Sequence, residues 1–271
     1  MQKTILITGA TDGIGLETAK QLSAQGHTLL LHGRSEARLQ LAEAEMAAAG
    51  GSVACYRADL SRLDEVEAMA AALLNDQSKI DVVINNAGVL KTDQPITESG
   101  HDIRFVVNAF APYLLTQRIA PLLGEGARII NLSSAAQAPV DLEALHGRVR
   151  IADDLAVYAQ SKLAITMWSR QLAKAHPEWV VVSVNPGSLL ATKMVREGFN
   201  MAGHDINIGV DILMRAALSE AFADRSGEYF DNDAKQFADP HTDALDEERS
   251  QQVVQAIETA LLECSNPLTT V

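Results

Sequence analysis

Cysteine is almost missing from this chain: Cys55 and Cys264 are the two in 271 residues, one in a strand-like run and one near the C-terminus. Two such thiols form neither a disulfide framework nor a zinc cluster, and they suit a reducing cytoplasm, the expected location. Basic charge is short as well. The 22 Lys and Arg stand against 35 Asp and Glu, a net charge of −13, which argues against nucleic acid or an anionic membrane as the main partner. No apolar stretch approaches the roughly 20 residues that a bilayer-spanning helix needs. The run "ILITGA" near Met1 has neither a charged leader nor a cleavage-like site after it, and reads as a strand. Histidines in metal-ligand pairs are absent too: His146, His204 and the others read as surface or capping residues, and no metal is expected. With no Ser- or Gly-rich linker, low-complexity tract or longer internal repeat, one domain over 1–271 is expected.

What the chain does contain is an alternation. Short runs rich in Val, Ile and Leu recur as "TILITG", "HTLLLHG", "SVACYRAD", "IDVVINNAG", "ARIINLSS", "WVVVSVNPG" and "GEYF". Their near-continuous apolar character suits parallel strands covered on both faces, and the stretches between them have helical spacing. In "SEARLQLAEAEMAAAG", Ser35 suits an N-cap and Gly50 and Gly51 a stop. The pattern predicts an α/β Rossmann-type fold, a doubly wound and mostly parallel seven-stranded sheet with helices on both faces. Ligands then bind at the carboxyl ends of the strands. The acidic stretch "DPHTDALDEERS" reads as a turn and the start of a last helix.

Between the first strand and the first helix lies "TGATDGIGLETA", with Gly9, Gly13 and Gly15. Glycines there permit a tight turn and close backbone approach to a pyrophosphate, while the helix N-terminus offers free N–H groups. The spacing is not G-x-G-x-x-G. At the end of the second strand an NAD site wants a carboxylate and an NADP site a cation. This chain has "HGRS", so Arg34 and Ser35 favour NADP over NAD, although Asp12 and Glu36 leave the local charge mixed. Tyr158 and Lys162 in "YAQSK" lie four residues apart, on one face of a helix, which suits either paired chemistry or an ordinary amphipathic surface.

Taken in order along the chain, these motifs resemble the short-chain dehydrogenase/reductase family, single-domain Rossmann oxidoreductases, and the match runs over most of the length. Thr8-Gly9-x-x-x-Gly13-Ile14-Gly15, with Asp12 inside it, looks like the family's cofactor loop. Asp59 and Leu60 after the third strand look like its adenine contact, and "NNAG", with Asn86, Ala87 and Gly88, like its fourth-strand motif. Asn108, Ser134, Tyr158, Lys162, Pro186-Gly187 and Thr192 follow in the family's order. The resemblance implies hydride transfer between the nicotinamide of NADP(H) and a carbonyl or alcohol. Tyr158 is then the general acid/base, Ser134 holds the carbonyl oxygen, and Lys162 bonds the nicotinamide ribose. Asn108 links Lys162 to solvent through a water, and Thr192 contacts the nicotinamide amide or pyrophosphate. A phenol titrates near pH 10, and a nearby ammonium is expected to draw Tyr158 down towards the useful range. In the strand end "NLSS" only one serine can face the cofactor, and family position selects Ser134 over Ser133.

The connection 135–157 is longer than in compact members and resembles the branch of retinol dehydrogenases and related carbonyl reductases; it either shapes the substrate site or runs over the surface. Residues 188–206 carry Leu189, Leu190, Met194, Val195, Phe199 and Met201, which suit a lid over a moderately apolar substrate, a core segment or an oligomer contact. The two long helices holding Asn108 and Tyr158 pair subunits in many relatives, so a homodimer or homotetramer is expected. The alternatives are a non-catalytic dinucleotide sensor and an NAD-dependent epimerase or dehydratase.

Overall fold

The computed structural model describes residues 2–48 and 50–265. Eight strands form one sheet: β1 (Thr4–Ile7), β2 (Thr28–Gly33), β3 (Ser52–Arg57), β4 (Ile80–Asn85), β5 (Leu123–Leu132), β6 (Val180–Asn185), β7 (Tyr229–Asp231) and β8 (Gln236–Ala238). Their order is β3-β2-β1-β4-β5-β6-β7-β8, parallel throughout except for β8, which returns antiparallel to β7. The expected seven strands are thus joined by an eighth. At three residues, "QFA", it is too short to show a period, and it is held by a hairpin turn in which Lys235 has φ 57°.

Both faces of the sheet are covered, which is why the strands read as continuous apolar runs. Successive residues alternate between two cores. Leu6, Leu30, Val83, Ile129 and Val181 point to one side, and Ile5, Ile7, Leu29, Leu31, Val82 and Ile84 to the other. Each such fully buried aliphatic side chain contributes about 1.5–3 kcal/mol relative to exposure.

The second side is covered by α1 (Gly13–Ala24), α2 (Glu36–Ala48) and α9 (Asn207–Leu218). Ser35 caps α2, its hydroxyl accepting from Arg38 N at 3.4 Å. The first side carries α3 (Leu63–Asp76), α4 (Ile103–Phe105), α5 (Ala111–Arg118) and α7 (Asp154–Ala175). Between α4 and α5 the helix widens into a π segment, Val106–Phe110, which contains Asn108. Two short helices, α6 (Leu142–Leu145) and α10 (Thr242–Leu245), precede the last one, α11 (Glu247–Ser265).

The helix α11 lies on α7 and α3. It buries Val253, Ala256, Ile257 and Ala260, and its Glu258 accepts a 2.6 Å hydrogen bond from Tyr113 of α5. The helices that the sequence suggested for subunit pairing therefore carry this chain's own C-terminal helix. Within the chain, α7 is packed against α11 and is not a bare face.

Candidate active site

A cleft of about 990 Å³ runs along the carboxyl ends of the strands. It spans the point where the order reverses between β1 and β4, the place an open α/β sheet offers a ligand. Gly9, Asp12, Gly13, Ile14, Arg34, Ser35, Asp59 and Leu60 line one half of it. Asn86, Ala87, Gly88, Ser134, Tyr158, Lys162, Pro186, Gly187 and Thr192 line the rest. Two predicted residues stay outside the lining. Gly15 is buried behind the loop, where a β-carbon would come within 2.4 Å of both Asn86 Nδ2 and Gly9 O. Asn108 is buried behind Val89.

The dinucleotide end is built by two loops stitched together. Thr8 Oγ1 accepts from the amides of Asn86 and Ala87 at 3.0 and 3.1 Å, and Asn86 Nδ2 returns bonds to Thr8 O and Gly9 O. Gly9 has φ 67°, and a β-carbon there would meet the Ala87 backbone at 3.0 Å. Both the conformation and the close approach thus demand glycine. Asp12 is the N-cap of α1 and accepts from Gly13 N at 2.7 Å. Its charge faces Arg38 Nη1 at 3.5 Å. Arg34 is exposed on the cleft wall, with Arg38 one helical turn further on.

Sequence reasoning passed over His32 and Arg38. The His32 ring is buried between Gly9 N, which donates to Nδ1 at 3.2 Å, and Ala58 O, which accepts from Nε2 at 3.0 Å. One imidazole thus ties the phosphate loop to the segment leading into Asp59. Burial lowers its pKa from 6.5 to about 4, so the ring is neutral at physiological pH. The signal in the sequence was a polar residue inside "LLLHG". For Arg38 it was the four-residue spacing from Arg34.

At the reactive end β5 delivers Ser133 and Ser134. Ser133 turns inward, bonding Lys162 O at 3.0 Å and Thr166 Oγ1 at 2.7 Å. Ser134 turns to the cleft, where its hydroxyl accepts from Ala136 N at 3.1 Å and lies beside the Tyr158 phenol. Tyr158 is half-buried. Desolvation pushes its pKa above the ordinary 10, and the Ser134 hydroxyl works in the opposite direction. The expected lowering by Lys162 is not what this protein shows on its own. The ammonium donates to Leu132 O at 2.7 Å and lies 5.6 Å from the centre of the Tyr158 ring. Burial depresses Lys162 itself from 10.5 to about 8.

The Asn108 amide is engaged in three bonds: Oδ1 accepts from Val89 N, and Nδ2 donates to Val89 O and Ser161 Oγ, all at 2.8–2.9 Å. The π segment aims this side chain at the strand-four loop, so a polar residue in an apolar helix is satisfied chiefly by backbone.

The far end of the cleft is apolar, lined by Val89, Leu90, Ile103, Val107, Leu155 and Met194 among others. From the segment 188–206 the cleft takes Leu189, Leu190, Met194, Val195 and Phe199, while Met201 is exposed and outside it. This segment includes α8 (Lys193–Phe199), capped by Thr192 Oγ1. Its base is clipped by Ala191 N to His204 O and His204 N to Leu189 O, both 2.7 Å. From 135–157 only Ala136 and Leu155 line the cleft. The middle of that connection packs elsewhere, with Gly147 against the Gly100 backbone.

The sequence model described as short chain dehydrogenase matches residues 3–203. The chain belongs to the short-chain dehydrogenase family. It is 31% identical over 268 residues to human retinol dehydrogenase 13, covering 91% of this chain and 80% of that one. Its kinship within the family is with the retinol dehydrogenase-like branch. Among solved structures, an uncharacterised protein from Mycobacterium paratuberculosis superposes with a TM-score of 0.81 at 25% identity, covering 96% of this chain and 93% of the other. A metagenomic short-chain oxidoreductase in complex with NADP gives 0.61 at 28% identity, covering 80% and 91%. The metagenomic relative holds a nicotinamide dinucleotide, and this chain is by family an oxidoreductase. Its cleft fits such a group: a glycine cradle at a helix N-terminus for the pyrophosphate, cations beside the end of β2, and the Ser134, Tyr158 and Lys162 side chains at the other end.

Proposed function

We propose that this short-chain dehydrogenase is an NADP(H)-dependent carbonyl reductase, acting on a moderately apolar aldehyde or ketone and reversibly on the alcohol. The observation that carries the reading is the convergence of Ser134, Tyr158 and Lys162 on one spot of the cleft, between the glycine loop and an apolar wall. The preference for NADP rests on Arg34, which directly follows β2 where an NAD site has a carboxylate for the ribose hydroxyl, and on Arg38 in the first turn of α2.

The bound nicotinamide supplies the hydride, and the protein supplies position and protons. Ser134 holds the carbonyl oxygen next to the phenol. Tyr158, kept neutral by burial, donates its proton to that oxygen as negative charge develops there, which favours the reductive direction. Lys162, fixed by the Leu132 carbonyl, places a positive charge beneath the ring and steadies the phenolate left behind. Asn108 holds the Val89 segment against α7, and its Oδ1 retains a free acceptor site for a water on the path that reprotonates the pair. The apolar walls beside this spot are Leu90, Ile103, Val107, Leu155 and Phe199. Retinol dehydrogenase 13 names a long apolar alcohol, and the lining here suits substrates of that character.

The test is oxidation of NADPH and of NADH against a panel of apolar aldehydes, ketones and quinones, with Tyr158→Phe alongside. NADPH turnover that is lost in the variant supports the reading. Turnover surviving in Tyr158→Phe, or none with any carbonyl, overturns it.

A further inference from the structure

The strand β5 leaves the sheet at the reactive end. Its ladder with β6 runs to Leu132, one more bond joins Ser133 N to Val184 O, and the chain then turns away. Ser134 is therefore the first residue without ladder support, in a loop, where backbone is ordinarily mobile. Its carbonyl is nevertheless gripped twice. Tyr229, the first residue of β7, donates its hydroxyl to Ser134 O at 3.1 Å, and Gln137 Nε2 donates to the same oxygen at 3.0 Å. Gln137 is itself oriented from outside the loop, because its Oε1 accepts from His241 N at 3.0 Å. The Tyr229 ring is almost wholly buried, so its hydroxyl has little freedom to swing away.

We propose that Tyr229 and Gln137 are positioning residues for Ser134: by fixing its carbonyl they hold its hydroxyl where it meets the Tyr158 phenol and a substrate oxygen. This rests on the role given to Ser134 above. Tyr229 and His241 lie beyond residues 3–203, the span of the family model, so the support for Ser134 comes from the C-terminal segment of this chain. The physical need is strict. A reacting group displaced by about 1 Å costs on the order of a hundredfold in rate, and a single peptide carbonyl sets the direction in which the Ser134 side chain leaves the backbone. Burial, with Asp231 and Asp233 nearby, pushes the Tyr229 phenol far up, so it stays a donor across the working pH range.

The experiment is a double-mutant cycle between Tyr229→Phe and Ser134→Ala, with Gln137→Leu as a second probe. In the background that keeps Ser134, Tyr229→Phe is expected to lower kcat about tenfold while leaving the NADPH dissociation constant unchanged. In the Ser134→Ala background the same change should have no further effect on kcat. An equal loss in both backgrounds, or a loss absorbed by NADPH binding, overturns the proposal. Hydrogen exchange measured by mass spectrometry supplies a readout that needs no turnover. Peptides covering 133–138 should exchange faster in Tyr229→Phe and Gln137→Leu, with the rest of β5 unchanged, and unchanged exchange across 133–138 overturns the proposal. Should Ser134→Ala alone be fully active, the role given to Ser134 fails, while the exchange result still judges the clamp separately.

Discussion

Lys162 points its ammonium at the Leu132 carbonyl, 2.7 Å away, and passes under the Tyr158 ring without a hydrogen bond to its hydroxyl. The lysine makes no direct bond to the phenol, and its own burial is the cost of that placement. Its pKa of about 8 lies below the 10.5 of an exposed lysine. The unfolded chain therefore binds a proton between pH 8 and 10.5 that the folded chain does not. Holding the charge inside the protein lowers stability at pH 7 by up to about 3 kcal/mol, and the penalty fades as pH rises from 8 to 10.5. Allowing about 1 kcal/mol for the lost bond to Leu132 O, Lys162→Met is expected to stabilise the ligand-free protein by about 2 kcal/mol at pH 7. It should also abolish reduction. Denaturant midpoints at pH 7 and pH 10 check this, since the gain should shrink at the higher pH.

The same titration bears on the dinucleotide. An anionic ligand beside Lys162 favours its charged form, so NADPH affinity should fall as pH rises through about 8. In Lys162→Met the pH dependence near that value should disappear, as measured by fluorescence titration of NADPH.

His32 gives an acid counterpart. Above pH 6.5 the ring is neutral in both states. Below that, the unfolded chain takes up a proton that the folded chain refuses until about pH 4. Stability is thus lost from this group as pH falls from 6.5 to 4, by up to about 3 kcal/mol. Glutamine can accept from Gly9 N and donate to Ala58 O without titrating. His32→Gln should therefore flatten the decline of Tm across pH 6.5 to 4 relative to the parent.

Arg34 and Arg38 should separate the two dinucleotides. Each replaced by Ala is expected to weaken NADPH about tenfold, the lower end for a charged hydrogen bond at an exposed site, with little change for NADH. Equal losses for both would remove the 2′-phosphate from the explanation. Calorimetric titration with each dinucleotide decides.

Gly15→Ala sets two effects against each other. Within a helix, alanine is favoured over glycine by about 1 kcal/mol. Here the added carbon would meet Gly9 O and Asn86 Nδ2 at 2.4 Å, and overpacking of that kind costs about 1–3 kcal/mol. The clash involves the backbone of the phosphate loop, so it should win: lower Tm and lost NADPH binding, although Gly15 does not line the cleft.

The strand–helix alternation was legible because parallel strands buried on both faces write themselves as unbroken Val, Ile and Leu. The glycine loop was legible because a positive φ at Gly9 and Gly13 leaves few other residues possible. The two serines of "NLSS" do point apart, as alternation along a strand requires, Ser133 bonding Thr166 and Ser134 lying beside Tyr158. Other features depend on distant partners that no local pattern announces. His32 gains its role from Gly9 and Ala58, which lie on either side of it in sequence and meet only in the folded sheet. The direction of the Tyr158 shift depends on how far the phenol is desolvated, and on the Leu132 carbonyl claiming the lysine's hydrogen bond. The seat of α11 involves tertiary contacts such as the bond from Tyr113 of α5 to Glu258, 145 positions apart.

That last packing has a kinetic side. The face of α7 on which α11 packs is closed by residues synthesised about ninety positions later, so a nascent chain emerging from the ribosome presents it uncovered until α11 arrives. Contacts of such long range are slow to form, and the waiting surface is the kind that chaperones hold and that aggregates when they do not. Closure of this packing therefore waits on α11.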